Sequence, residues 1–115
     1  MGLDQYLWAQ KNDNVEEIGY WRKHANLQGY MQNLAVQKGV VNTIDDFNMV
    51  DLPLTKEDIE SVIRTIVDEQ LPHTVGFFYG ESYCDESEKQ QDLVAFDDAL
   101  GYAQDGWTVI YRCWW

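Results

Sequence analysis

Basic residues are scarce in this sequence: its 115 residues hold 8 Lys and Arg against 20 Asp and Glu, a formal net charge of -12. A surface of that sign repels phosphate, so direct binding of DNA or RNA is disfavoured and a partner with a basic surface is favoured instead. Cysteine is nearly absent. Cys84 and Cys113 make neither a disulfide framework nor a CxxC zinc pair, which leaves one bridge between them as the only cross-link open to the chain. No apolar run nears the roughly 20 residues that span a bilayer, and MGLDQYLWAQ lacks the basic and apolar regions of a secretory signal. The expectation is a soluble, intracellular protein that does not engage membranes. Neither GxxxxGK[ST] nor GxGxxG occurs, and no nucleophile, metal or cofactor motif stands out. The sequence therefore predicts a protein that is not an enzyme and that needs no cofactor and no metal.

Apolar residues are plentiful, at 45% with 14% aromatics, so the chain can build a core and disorder is not expected. Its length suits a single domain over residues 1–115. The charge is unevenly distributed. Residues 1–44 hold four acids and four bases and sum to zero, whereas residues 45–115 hold 16 acids against Lys56, Arg64, Lys89 and Arg112. The stretch from Glu81 to Asp105 has eight acids against Lys89 alone.

Periodicity gives the elements. Alternation over Leu3–Ala9 predicts a strand, KNDN at 11–14 a turn, and the spacing of Tyr20, His24, Leu27, Met31 and Leu34 a helix over 18–37 that stops at Gly39. Gly29 inside that helix costs ~1 kcal/mol relative to Ala, which hints at a close approach. A short strand is expected around 47–52. Thr55 with early acids predicts the cap of a second helix, with Ile59, Val62, Ile63, Ile66 and Val67 as its buried stripe and Pro72 as its end. Residues 75–80 read as a strand, Ser87 and Gln90 as a capping box opening a third helix that ends near Gly106, and the closing WTVIYRCWW as a strand. The fold class is thus α+β, a mainly antiparallel sheet of about four strands with three helices mostly on one face. The two terminal strands are the most apolar and are expected at its centre.

MGLDQYL at the start, IGYWRKHAN at 18–26, LTKEDIE at 54–60 and GFFYGESYCDE at 76–86 resemble a family of small bacteriophage and prophage proteins. Members open with an MGLDMYL-like strand and carry a GYWRKAN-like helix start and a GFFFG-like strand, the last matched here by Gly76, Phe77, Phe78, Tyr79 and Gly80, with Tyr83 and Asp85 in the loop that follows. The resemblance implies a phage accessory product in the cytoplasm of an infected bacterium. It supplies no catalytic residues, and the later His and Trp of typical members are missing from this chain.

Four groups of residues are candidate sites. Glu81, Asp85, Glu86, Glu88, Asp92, Asp97 and Asp98 could imitate phosphates and dock on a basic groove of a host protein, as an anti-CRISPR or anti-restriction inhibitor would, with Trp115 as an aromatic anchor on a partner or on a second copy of the chain. Alternatively Trp21, Arg22, Lys23 and His24, with Phe78, Tyr79 and Tyr83, could hold a nucleotide signal of host immunity by stacking and charge. Asp85, Glu86, Glu88 and Asp92 have the chemistry for a hard cation but not the EF-hand spacing, and their simpler reading is a solvated helix end. Cys84 and His73 would make a nucleophile pair only if the fold joined them, and the acids flanking Cys84 oppose a thiolate.

Overall fold

β1 (Asp4–Lys11) and β2 (Asn14–Arg22) form a hairpin closed by Asn12 and Asp13, where Asn12 takes a left-handed φ of 56° that asparagine tolerates. The structure is a computed structural model that describes residues 2–76, 80–81 and 86–115, with the backbone alone for 75, 76, 80 and 81. Residues 18–22, expected as the start of the first helix, belong to β2. The pairing slips between Leu7 and Trp8, so Leu7 faces Gly19 while Trp8 faces Glu17, and this bulge at Ile18 breaks the alternation that would have marked a strand. Tyr20 and His24 have helical spacing only because they straddle the strand–helix junction.

α1 (Ala25–Gln37) follows, then a 3-10 turn (Ile44–Phe47) that drives Phe47 into the core. The strand expected at 47–52 lies later, as β3 (Leu52–Leu54). Its Pro53 is tolerated because β3 is an edge strand. α2 (Lys56–Val67) begins at the expected Thr55 cap: Thr55 Oγ1 accepts the Asp58 N–H and the Asp58 carboxylate accepts the Thr55 N–H. It ends before Pro72, at Asp68, where Glu69 turns left-handed at φ 57°. Ile59, Val62 and Ile66 are buried, but Val67 is exposed. β4 (Val75–Gly76) and β5 (Gly80–Glu81) pair with each other. α3 (Glu86–Gln104) places Ser87 inside its first turn rather than at the cap, and β6 (Thr108–Trp114) is the last strand in chain order.

The main sheet has the order β2-β1-β6-β3, antiparallel throughout, with both terminal strands central as expected. Its inner face buries Leu3, Gln5, Leu7, Ala9, Trp21, Val109, Tyr111 and Cys113 beneath the helices. The outer face carries Tyr6, Trp8, Tyr20, Ile110 and Trp114, with Asp4 near Arg22 (3.6 Å) and Asp51 near Arg112 (3.5 Å). Among the described residues no helix is long and apolar enough to cross a membrane.

A missing side chain sets one contact. A Cβ on Gly29 would stand 1.9 Å from Thr74 Oγ1 and 2.9 Å from Thr74 Cβ, while Thr74 is held by its N–H to Asn26 Oδ1 (2.9 Å). A Gly29→Ala variant gains ~1 kcal/mol in helix propensity, yet overpacking costs about 1–3 kcal/mol and displaces the anchored 72–74 segment. We expect a net loss of about 1 kcal/mol in urea unfolding. A more stable variant would mean that this segment yields freely.

Candidate functional site

The turn from β2 to α1 brings His24 into the protein. Lys23 adopts φ 60° and donates its N–H to Leu3 O (2.8 Å), and the Gln5 side chain clamps the next residue by accepting from His24 N (2.9 Å) and donating to His24 O (3.0 Å). The His24 ring then caps α1, with Nδ1 accepting the Leu27 N–H at 3.4 Å. On α3, Glu88 and Asp92 are one turn apart and share a face. Asp92 is 2% exposed and His24 3% exposed; Asp92 Oδ2 lies 2.7 Å from His24 Nε2, and Asp92 Oδ1 accepts the Trp21 indole N–H at 2.7 Å. A Glu88 carboxylate oxygen stands 3.4 Å from the same His24 nitrogen. Because Nδ1 accepts from Leu27, the hydrogen bonds assign the ring proton to Nε2, between the two carboxylates.

A cavity of about 270 Å³ adjoins this cluster, lined by His24, Asn26, Ile66, Leu71 and the acids Glu69, Glu88 and Asp92. Lys89 also lines it, but its ammonium is drawn to Glu69 at 3.3 Å. Three carboxylates around one lysine and one imidazole make the cavity suited to cations and ill-suited to phosphates.

This geometry redistributes the candidate residues. Trp21 is buried, stacks on Phe96 with ring centroids 5.6 Å apart and is committed to Asp92, so it offers no stacking platform to a nucleotide. Arg22 and Lys23 are exposed, away from the buried His24. Asp92 belongs to the interior and Glu88 turns toward His24, so neither extends the outer acidic surface. Glu86, Asp97 and Asp98 are exposed on α3, as are Glu57, Glu60 and Asp68 on and after α2. Trp115 is half-buried against the core and tied through its backbone to Asn48, whereas Trp114 is 55% exposed on the outer sheet face. Alternation makes Trp114, not Trp115, the exposed aromatic of that face. Glu81 (side chain), Asp85, Phe78, Tyr79, Tyr83 and Cys84 lie outside the described residues. His73 is exposed. Cys113 is a free, buried thiol that accepts from Gln28 at 3.2 Å, and burial pushes its pKa up to about 11, which keeps it protonated and inert.

The partnership of His24 with Glu88 and Asp92 is the feature that sequence reasoning missed. The two carboxylates stand among the acids that the sequence offers to a hard cation, but their imidazole partner is 68 residues from Asp92. No protein-family model, curated protein or solved structure matches the chain.

Proposed function

We propose that the protein is a non-enzymatic binding protein that sets the acidic outer surface of α2 and α3 against a basic surface of another protein. In the phage setting that the resemblance implies, that partner is a host defence protein whose nucleic acid groove the carboxylates occupy. The observation that carries this reading is the state of Glu57, Glu60, Asp68, Asp97 and Asp98. All five are exposed, and among the described residues none is in an ion pair. The two helices pack together on the same side of the sheet, so their outward acids sum to one field that can steer a cationic partner. The nucleotide reading has less support, since Trp21 and His24 are turned inward and the adjoining cavity is acidic.

The test is charge reversal. Glu57, Glu60, Asp97 and Asp98 changed together to Lys should leave the fold intact: all four are exposed, and Glu57, in the first turn of α2, loses a helix-dipole interaction of about 0.3–1 kcal/mol. Capture of a partner from phage-susceptible cells, followed by affinity measurement, should show the native chain bound and the reversed chain weakened by about 100-fold or more. Native binding should also weaken steeply between low and high salt. Equal affinity of both chains, or binding indifferent to salt, overturns the proposal.

A further inference from the structure

We propose that His24, Glu88 and Asp92 form a binding site for a divalent transition metal ion, with the adjoining cavity as its entry. One nitrogen and two carboxylate ligands can be drawn from these residues, all within 4.8 Å of one another. They come from two rigid positions, the capped start of α1 and a single face of α3. Ligand atoms bound at about 2.0–2.2 Å to a common ion stand about 3.0–3.5 Å apart. The 3.4 Å between Glu88 and His24 already meets that requirement. Asp92 and His24, at 2.7 Å, share a proton and must part by about half an ångström to admit an ion.

The surroundings are those of a metal site as well. The Trp21 N–H holds Asp92 Oδ1 and thereby directs Oδ2 toward the imidazole, which is the outer-shell support that orients a ligating carboxylate. Gln5 fixes the backbone of His24 on both sides. Two carboxylates converging on one imidazole in a half-closed cavity favour a cation, and the cavity of about 270 Å³ has room for the water molecules that would complete its coordination. The imidazole selects the class: Zn²⁺, Co²⁺, Mn²⁺ or Fe²⁺ accepts a nitrogen ligand that Mg²⁺ and Ca²⁺ do not favour. Binding has a structural cost. An ion on Nε2 moves the ring proton to Nδ1, so the Leu27 N–H loses its acceptor and the start of α1 must adjust.

Protein freed of metal with a chelator is titrated with Co²⁺ and followed by visible absorption and calorimetry. We expect one equivalent to bind with a d–d spectrum, Zn²⁺ to displace it, and a roughly 100-fold excess of Mg²⁺ not to. Glu88→Gln and His24→Asn should each abolish the spectrum. The asparagine keeps a cap for α1, so that variant separates loss of the ligand from loss of the helix start. Trp21→Phe, which leaves all three ligands in place, should weaken binding by about 10- to 100-fold. Absence of a spectrum and of binding heat in the native chain overturns the site. Unchanged binding by a folded Glu88→Gln does so too, because the ion would then sit on surface carboxylates; if His24→Asn does not fold, Glu88→Gln decides alone.

Discussion

Asp92→Ala is expected to destabilise the fold by about 3–5 kcal/mol, because two buried donors lose their acceptor at a cost of about 1–3 kcal/mol each. The carboxylate holds two groups at once, the Trp21 indole N–H and His24 Nε2, each at 2.7 Å. Alanine leaves two donors buried with no acceptor at that position and opens a void between α3 and the turn into α1. Small domains have about 5–15 kcal/mol in total, so the variant should unfold at a fraction of the native urea midpoint. Asp92→Asn is the informative control. Its carbonyl oxygen keeps the Trp21 bond, but its amide presents a donor to His24, and the ring must move its proton to Nδ1 and forfeit the cap on Leu27. An intermediate loss is expected. If Asn costs as much as Ala, the indole bond contributes little.

Gln5→Leu is the second large effect, at about 3 kcal/mol. Gln5 is fully buried on the central strand, and its amide bonds to His24 N, His24 O and the Tyr111 hydroxyl at 2.9, 3.0 and 2.9 Å. The Tyr111 hydroxyl in turn donates to Gln28 Oε1 at 2.6 Å, and Gln28 donates to Cys113 Sγ. Leucine fills nearly the same volume, so the loss measures polar groups left unsatisfied rather than a cavity. Tyr111→Phe interrupts the same chain one link later. If the network acts as a unit, the double variant will lose less than the sum of the two single losses in urea unfolding. Strict additivity would mean the bonds are independent.

The parts of the fold legible in the sequence are those where one physical signal dominates. Thr55 and Asp58 bracket a helix start, and the apolar terminal strands occupy the sheet centre because only there are they covered well enough. β2 was hidden for two reasons. As an edge strand it exposes both sides of most residues, and its bulge at Ile18 shifts the alternation midway. Gly29 gave a true hint, a missing Cβ where Thr74 presses on α1, although nothing in the sequence names Thr74 as the neighbour. The candidate site was legible in halves. The spacing of Glu88 and Asp92 marks a carboxylate pair on one helix face, while His24 reads as part of a basic cluster with Arg22 and Lys23. Only the left-handed turn at Lys23, which reverses the chain between β2 and α1, sends the imidazole inward and its two basic neighbours outward.

The pairing of β1 with β6 bears on how the chain acquires its structure. Leu7 meets Tyr111 across more than a hundred residues, and this contact joins the two middle strands on which the helices rest. A chain emerging from the ribosome therefore has a hairpin and three helices before it has a floor to lay them on. Collapse must wait for the last strand, so folding is expected to be late, cooperative and slow for the protein's size, as the entropy of closing so long a loop requires.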